Sequence, residues 1–233
     1  MKNKMNKSSK KKIIKSLINK KVFKFKKFIL KSGRISPYFF NSGILNTGND
    51  LIQIGNLYAK EIKKTNITFD VLFGTAYKGI PIVIATAIAL SKNYNINKPY
   101  CFNRKEIKKY GEQGKIIGCK LKGKVIIIDD VITIGTAIKE SISILSQYKT
   151  ILTGIFVFFD RQENKCNNMS AVQIIEKKYS CKINKIITLN NLIKYIKTKP
   201  KMKNELNKIY SYQKQYGLKN KIFKLNKYQK KPE

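Results

Sequence analysis

The sequence predicts an α/β fold: a parallel, twisted sheet of about five strands flanked by helices, with a small hood element ahead of it. Three observations carry this. After residue 50, short apolar runs alternate about five times with segments of helical period. The clearest of those runs, VIIIDD and FDVLFG, read as buried strands, as expected of a parallel sheet covered on both faces. And 42% of the 233 residues are hydrophobic, enough for a real core in one domain of this length.

The elements follow in order. KKKIIKSLINK (10–20) predicts a short amphipathic helix. VFKFKKFIL (22–30) reads as a strand, SGR and SP break it, and YFFNSGIL resumes an extended pattern, together a small antiparallel element. LIQIGNLYAKEIKK predicts a helix, FDVLFG (69–74) a strand, and GIPIVIATAIALSK a helix with Pro81 near its first turn. PYCF (99–102) reads as a strand. The stretch 103–123, polar and Gly-punctuated, reads as a mobile loop. VIIIDD, ILTGIFVFFD and INKIITL predict strands, separated by helices at GTAIKESISILSQ and AVQIIEKKY. Two more helical stretches close the domain near residue 218. The expected organisation is a hood over 1–48, a core over 49–218, and a frayed basic tail over 219–233.

The formal net charge is +36, which by itself suggests a nucleic-acid partner. The distribution argues otherwise. Residues 1–12 and 219–233 hold six lysines each, and the rest is dispersed, with no basic recognition helix. The 49 basic residues are 46 Lys and 3 Arg, whereas base readout leans on the arginine fork. A positive field does help recruit a polyphosphate. Four cysteines without CxxC spacing, in a chain with no histidine, exclude the common zinc frameworks and Ser–His or Cys–His nucleophilic catalysis. They read as reduced thiols. With no secretory signal and no membrane-length apolar run, the expected location is the cytoplasm.

VIIIDDVITIGTA (125–137) is the sharpest signal. An apolar strand delivers Asp129 and Asp130, and a turn of small residues with Thr133, Gly135 and Thr136 opens a helix. Backbone amides at a helix N-terminus bind phosphate. Carboxylates do not, but they suit sugar hydroxyls or a magnesium ion carried in on a polyphosphate. A phosphorylated sugar with a metal satisfies both. There is no GK[ST], which excludes a Walker loop.

This string resembles the phosphoribosyl pyrophosphate (PRPP) signature of the type I phosphoribosyltransferases. From about Phe28 to Leu218, FILKSGRISPYFFNSG, LFGTAYKGIP, PYCFNRKEIKKYGEQG, DDVITIGTAIKES and DRQE resemble, in order, the bacterial orotate phosphoribosyltransferases. The resemblance implies transfer of phosphoribosyl from PRPP to orotate, magnesium as cofactor, and a homodimer whose mobile loop closes over the neighbouring site. It implies roles as well. Lys31 reaches the orotate and PRPP end of the site, and Phe39 and Phe40 line the orotate pocket. Tyr77 and Lys78 hold pyrophosphate. Arg104, Lys105 and Lys108 ride the loop. Asp129 and Asp130 meet the ribose hydroxyls. Val131, Ile132, Thr133, Ile134, Gly135, Thr136 and Ala137 cradle the 5′-phosphate, Thr133 also approaching orotate, and Arg161 meets the orotate carboxylate.

The chain departs from the family at four of these places. Tyr110 stands where a loop histidine is usual, and Lys109 where an acid is. A tyrosine with a pKa of about 10 is a poor proton shuttle near neutrality, so a slower enzyme with a shifted pH profile is expected. Thr75 replaces a frequent Pro, and the bulkier Ile134 a frequent Ala. Two rivals compete with this reading: transfer to a purine or uracil, and a PRPP-sensing regulator that binds nucleic acid on the same fold.

Overall fold

A computed structural model describes residues 7–30, 32–108 and 114–218, with Lys7, Ile107 and Lys108 given by backbone alone. The predicted tail, Lys31, Lys109 and Tyr110 lie outside the described residues.

The hood begins with helix α1 (Lys7–Asn19). The single strand expected over 22–30 is instead two short pieces, β1 (Phe23–Lys24) and β2 (Phe28–Ile29). β2 pairs antiparallel with β3 (Ile35–Ser36), and β1 with β4 (Phe39–Phe40). Lys26 and Lys27 interrupt the apolar period, and the chain crosses from one ribbon to the other there. After β4 the chain turns into a 3₁₀ helix, Ser42–Ile44, where an extended run was expected; the Asn41 side chain accepts from the Gly43 N–H and starts it.

Helix α2 (Gly48–Thr65) opens on a capping box between Thr47 and Asp50 and ends at Asn66 in the left-handed conformation. Strand β5 (Val71–Gly74) follows, then α3 (Gly79–Tyr94), which ends on Asn95 in the same way. β6 (Tyr100–Lys108) runs well past the expected PYCF and is met by an antiparallel β7 (Gly114–Gly118). The predicted loop is therefore in large part a hairpin: the Asn103–Ile116 pairing continues the ladder through polar residues whose periodicity does not announce a strand. β8 (Gly123–Ile132), α4 (Thr136–Leu145) and β9 (Thr150–Asp160) lie where predicted. A small ribbon of β10 (Asn164–Cys166) and β11 (Met169–Ser170) was not anticipated. Then come α5 (Ala171–Tyr179), β12 (Ile183–Thr188), α6 (Leu189–Ile196) and α7 (Lys203–Tyr216), the last two separated by a 3₁₀ turn at Pro200–Met202.

Six strands form the main sheet in the order β12-β9-β8-β5-β6-β7; all neighbours are parallel except β6 and β7. Strand alternation divides its core in two. Leu72, Ile126, Ile128, Phe156 and Phe158 face the side covered by α2, α3, α6 and α7. Val71, Phe73, Val125, Ile127, Ile155 and Val157 face α4 and α5. From β5 the chain builds outward to β6, then returns to place β8 on β5's other side. That reversal lies between β5 and β8, where open α/β sheets bind their ligands. The four cysteines are free thiols. Among the described residues, no helix is long and apolar enough to cross a membrane.

Candidate active site

Both carboxylates stand on β8, next to the reversal point. By the strand's alternation Asp129 continues the row of Val125 and Ile127, and Asp130 the row of Ile126 and Ile128. β8 runs two residues beyond them, so the pair sits just short of the strand's end. Each acid has its own support. Thr75, at the end of β5, donates from Oγ1 to Asp129 Oδ1 at 2.5 Å. Ser42 donates from Oγ to Asp130 Oδ2 at 2.6 Å, and Lys78 Nζ lies 3.6 Å from the same oxygen. Tyr58, fully buried on α2, donates its hydroxyl to the Asp129 carbonyl at 2.6 Å and ties helix to strand. Burial, and then the charge of Asp130 beside it, push the Asp129 carboxyl well above the ordinary carboxylate range; the Thr75 hydrogen bond pulls the other way.

Two glycines make this geometry possible. A Cβ on Gly79 would sit 2.7 Å from the Ile128 carbonyl and 2.5 Å from Thr75 Oγ1, so only glycine lets α3 start this close to β8. Gly135 has φ of 77°, in the left-handed region, and caps α4.

A cavity of about 350 Å³ opens beside the pair. The turn forms its floor with Asp129, Val131, Thr133, Ile134, Gly135, Thr136 and Ala137, and the hood closes it with Ile29, Leu30, Ser32 and Phe39. Lys105 reaches it from β6 and is paired with Glu140 at 3.3 Å. The floor offers amides at a helix N-terminus, the hood a largely apolar lid, and the rim the Lys105 cation. That set suits a phosphorylated, partly flat anion.

The structure gathers most of the expected residues but not all. Phe39 lines the cavity, its ring 5.2 Å from that of Phe28. Phe40 does not: it is 3% exposed and packs on Phe23, Phe158 and Phe159, because adjacent strand residues face opposite ways. Ile132 likewise points into the core, at 1% exposure. Tyr77 is exposed, Lys78 half exposed, and Arg104 half-buried. Arg161 is buried below the hood, its Nε donating to Glu163 Oε1 at 2.7 Å and Nη2 to Ser36 Oγ at 2.9 Å. Lys31, Tyr110 and the Lys108 side chain lie outside what is described.

Sequence reasoning passed over Ser42, Thr75 and Tyr58 as parts of the site. Ser42 sits in the quoted PYFFNSG segment, and Thr75 stood out only as an odd residue in place of proline. Tyr58 carries no local signal, since its role depends on α2 packing across β8. The bulk of Ile134 is accommodated on the cavity wall, and its carbonyl accepts from Lys165 Nζ at 2.9 Å.

No family model matches the chain. Individual proteins do. It is 51% identical over 201 residues to the orotate phosphoribosyltransferase of Photorhabdus laumondii, covering 86% of this chain and 94% of that one. The enzyme of the same name from Yersinia enterocolitica is 49% identical over the same shares. Among solved structures, orotate phosphoribosyltransferase from Francisella tularensis superposes with a TM-score of 0.77 at 37% identity, covering 88% of this chain and 99% of that one. With the type I fold, the paired acids at its reversal point and identity of this extent, the chain belongs to the orotate phosphoribosyltransferase family.

Proposed function

We propose that this protein transfers the phosphoribosyl group of PRPP to orotate, releasing pyrophosphate and forming orotidine 5′-phosphate for pyrimidine nucleotide synthesis. The observation that carries the reading is the union, in one cavity, of Asp129 and the Thr133–Ala137 turn at the start of α4, with Asp130 next to it on β8. The turn's amides take the 5′-phosphate, and the aspartates take the ribose hydroxyls. Phe39 offers a wall to the flat base, and Thr133 meets its edge.

The C–N bond forms between orotate N1 and the anomeric carbon as the bond from that carbon to pyrophosphate breaks; the electron pair leaves with pyrophosphate, and the N1 proton passes to water or to the departing pyrophosphate. Lys78, beside Asp130, and Arg104 and Lys105 on β6 stabilise the charge gathering on the leaving group. Lys31 and Lys108 join them by the family pattern, and Tyr110 stands where that pattern has a histidine. Among the described residues no three His, Cys, Asp or Glu side chains converge as a metal cage. Asp129 and Asp130, with one Asp130 oxygen already engaged by Ser42 and Lys78, would hold a magnesium ion carried in on PRPP. When bound, that ion neutralises the pyrophosphate oxygens.

The enzyme acts in the cytoplasm as a homodimer. Exposed Ile52 on α2 and Ile88 on α3, both 61% accessible, support an apolar contact between subunits.

One assay tests the proposal: loss of orotate absorbance that requires both PRPP and magnesium. Adenine and uracil serve as competing acceptors. Turnover of a purine with orotate inert would replace the substrate assignment. A salt-resistant, sequence-specific nucleic-acid complex with no pyrophosphate release would replace the enzyme with a regulator.

A further inference from the structure

The chain uses lysine for 46 of its 49 basic residues, yet two of its three arginines converge on one buried carboxylate. Glu163 is 4% exposed. Its Oε1 accepts from Arg161 Nε at 2.7 Å and from the Tyr212 hydroxyl at 2.9 Å. Its Oε2 accepts from Arg34 Nη1 at 3.2 Å. These three donors come from three places: the end of β9, helix α7, and the β2–β3 turn of the hood. Arg34 is fixed in turn by the Asn164 carbonyl at 3.2 Å and by the Tyr216 ring at 4.9 Å.

The Arg161 guanidinium is held on three sides. Glu163 takes Nε, Ser36 takes Nη2, and the Tyr38 ring lies 4.3 Å from its central carbon. Nε and Nη2 form one edge of the planar fork, so the protein occupies that edge. The hydrogen bonds of Arg161 to Glu163 and Ser36 run from Nε and Nη2, and the guanidinium also lies close to Tyr212. The remaining edge, Nη1 with the outer hydrogen of Nη2, has the spacing that a planar carboxylate matches with two parallel hydrogen bonds. A lysine at this position could not be held by one edge and read by another, which is why arginine persists here in a lysine-rich chain.

We propose that Glu163 is a positioning residue for Arg161: braced by Arg34 from the hood and by Tyr212 from the last helix, it sets the rotation of the guanidinium that, by the family pattern, meets the carboxylate of the acceptor base. The inference rests on the orotate reading above and deepens it. Recognition of the acid is thereby tied to two distant elements, neither of which touches the cavity through these residues. Loosening either brace lets the guanidinium rotate about its side chain, and the fork loses the carboxylate while the phosphate turn on α4 is unaffected.

The test is a split of Michaelis constants in the full-length enzyme with magnesium, for Glu163→Gln and Tyr212→Phe. The glutamine substitution keeps the shape but loses the charge that orients Arg161. The phenylalanine substitution keeps the ring in its packing and deletes one hydroxyl, so it reports even if the first variant does not fold. For Glu163→Gln, KM for orotate rises about 10-fold or more, which corresponds to about 1.4 kcal/mol. For Tyr212→Phe it rises about threefold, and KM for PRPP stays within about twofold in both. A purely structural role predicts lower melting temperatures with both KM values unchanged, and that result overturns the proposal. So does a rise in both constants together. If the unmodified enzyme turns over another base and not orotate, the functional reading fails first, and this inference falls with it.

Discussion

Replacing Thr75 with valine deletes one hydroxyl from a buried contact and little else. Thr75 is 2% exposed, Asp129 is 5% exposed, and the hydroxyl meets the carboxylate at 2.5 Å. A hydrogen bond to a charged group contributes roughly 1.5–3 kcal/mol and one to a neutral group about 1 kcal/mol, so this contact favours the ionised form by about 0.5–2 kcal/mol. At about 1.36 kcal/mol per unit, that is roughly one pKa unit. The Asp129 carboxyl is already raised by burial and by Asp130, and the Thr75 bond restrains that rise. Valine therefore lifts it by about one unit more. In its proposed role Asp129 accepts from the ribose hydroxyls, which its ionised form does best. The acid limb of kcat/KM for PRPP, which reports groups of the free enzyme, should move up by about one unit in Thr75→Val. Thr75→Ser keeps the hydroxyl and should hold the limb where the parent has it. The measurement is initial rate against PRPP from about pH 5 to about pH 9. An unmoved limb in the valine variant would refute the assignment of Thr75 as the group that keeps Asp129 charged.

Because the folded state raises the Asp129 pKa, its ionisation destabilises the fold; that penalty is absent below the ordinary carboxylate range and fully present above the raised value. Asp129→Asn should thus melt higher than the parent near about pH 8, with the gap closing toward about pH 4, while orotate turnover is lost; equal melting at both extremes would contradict the burial argument. Gly135→Ala places a side chain at a φ of 77° with its Cβ 2.7 Å from Ile175 Cδ1, so the fold should lose about 1–2 kcal/mol in denaturant titration and KM for PRPP should rise as the turn shifts. Removing magnesium with a chelator should abolish turnover but leave the thermal transition in place, since no caged metal holds the described residues together; a falling melting temperature would point to a structural ion.

What the sequence by itself determined was local and periodic. The apolar runs of β5, β8 and β9 were legible because a strand buried on both faces has no polar alternation to confuse it. The turn after Asp130 was legible because small residues in consecutive order, with a glycine free to take a positive φ, mark the start of a helix. The hairpin of β6 and β7 was not: its polar outer half is a strand only because it pairs with another, and pairing is a long-range property. Nor was the difference between Phe39 and Phe40, adjacent and alike, which strand alternation assigns to cavity and core. The contacts of Ser42 and Thr75 with the acids, and of Arg34 and Tyr212 with Glu163, join residues 49 to 129 positions apart in the chain. Such contacts leave no period in the sequence. They exist because a buried charge must find its partners wherever the packed layers bring them, and only the tertiary structure decides where that is.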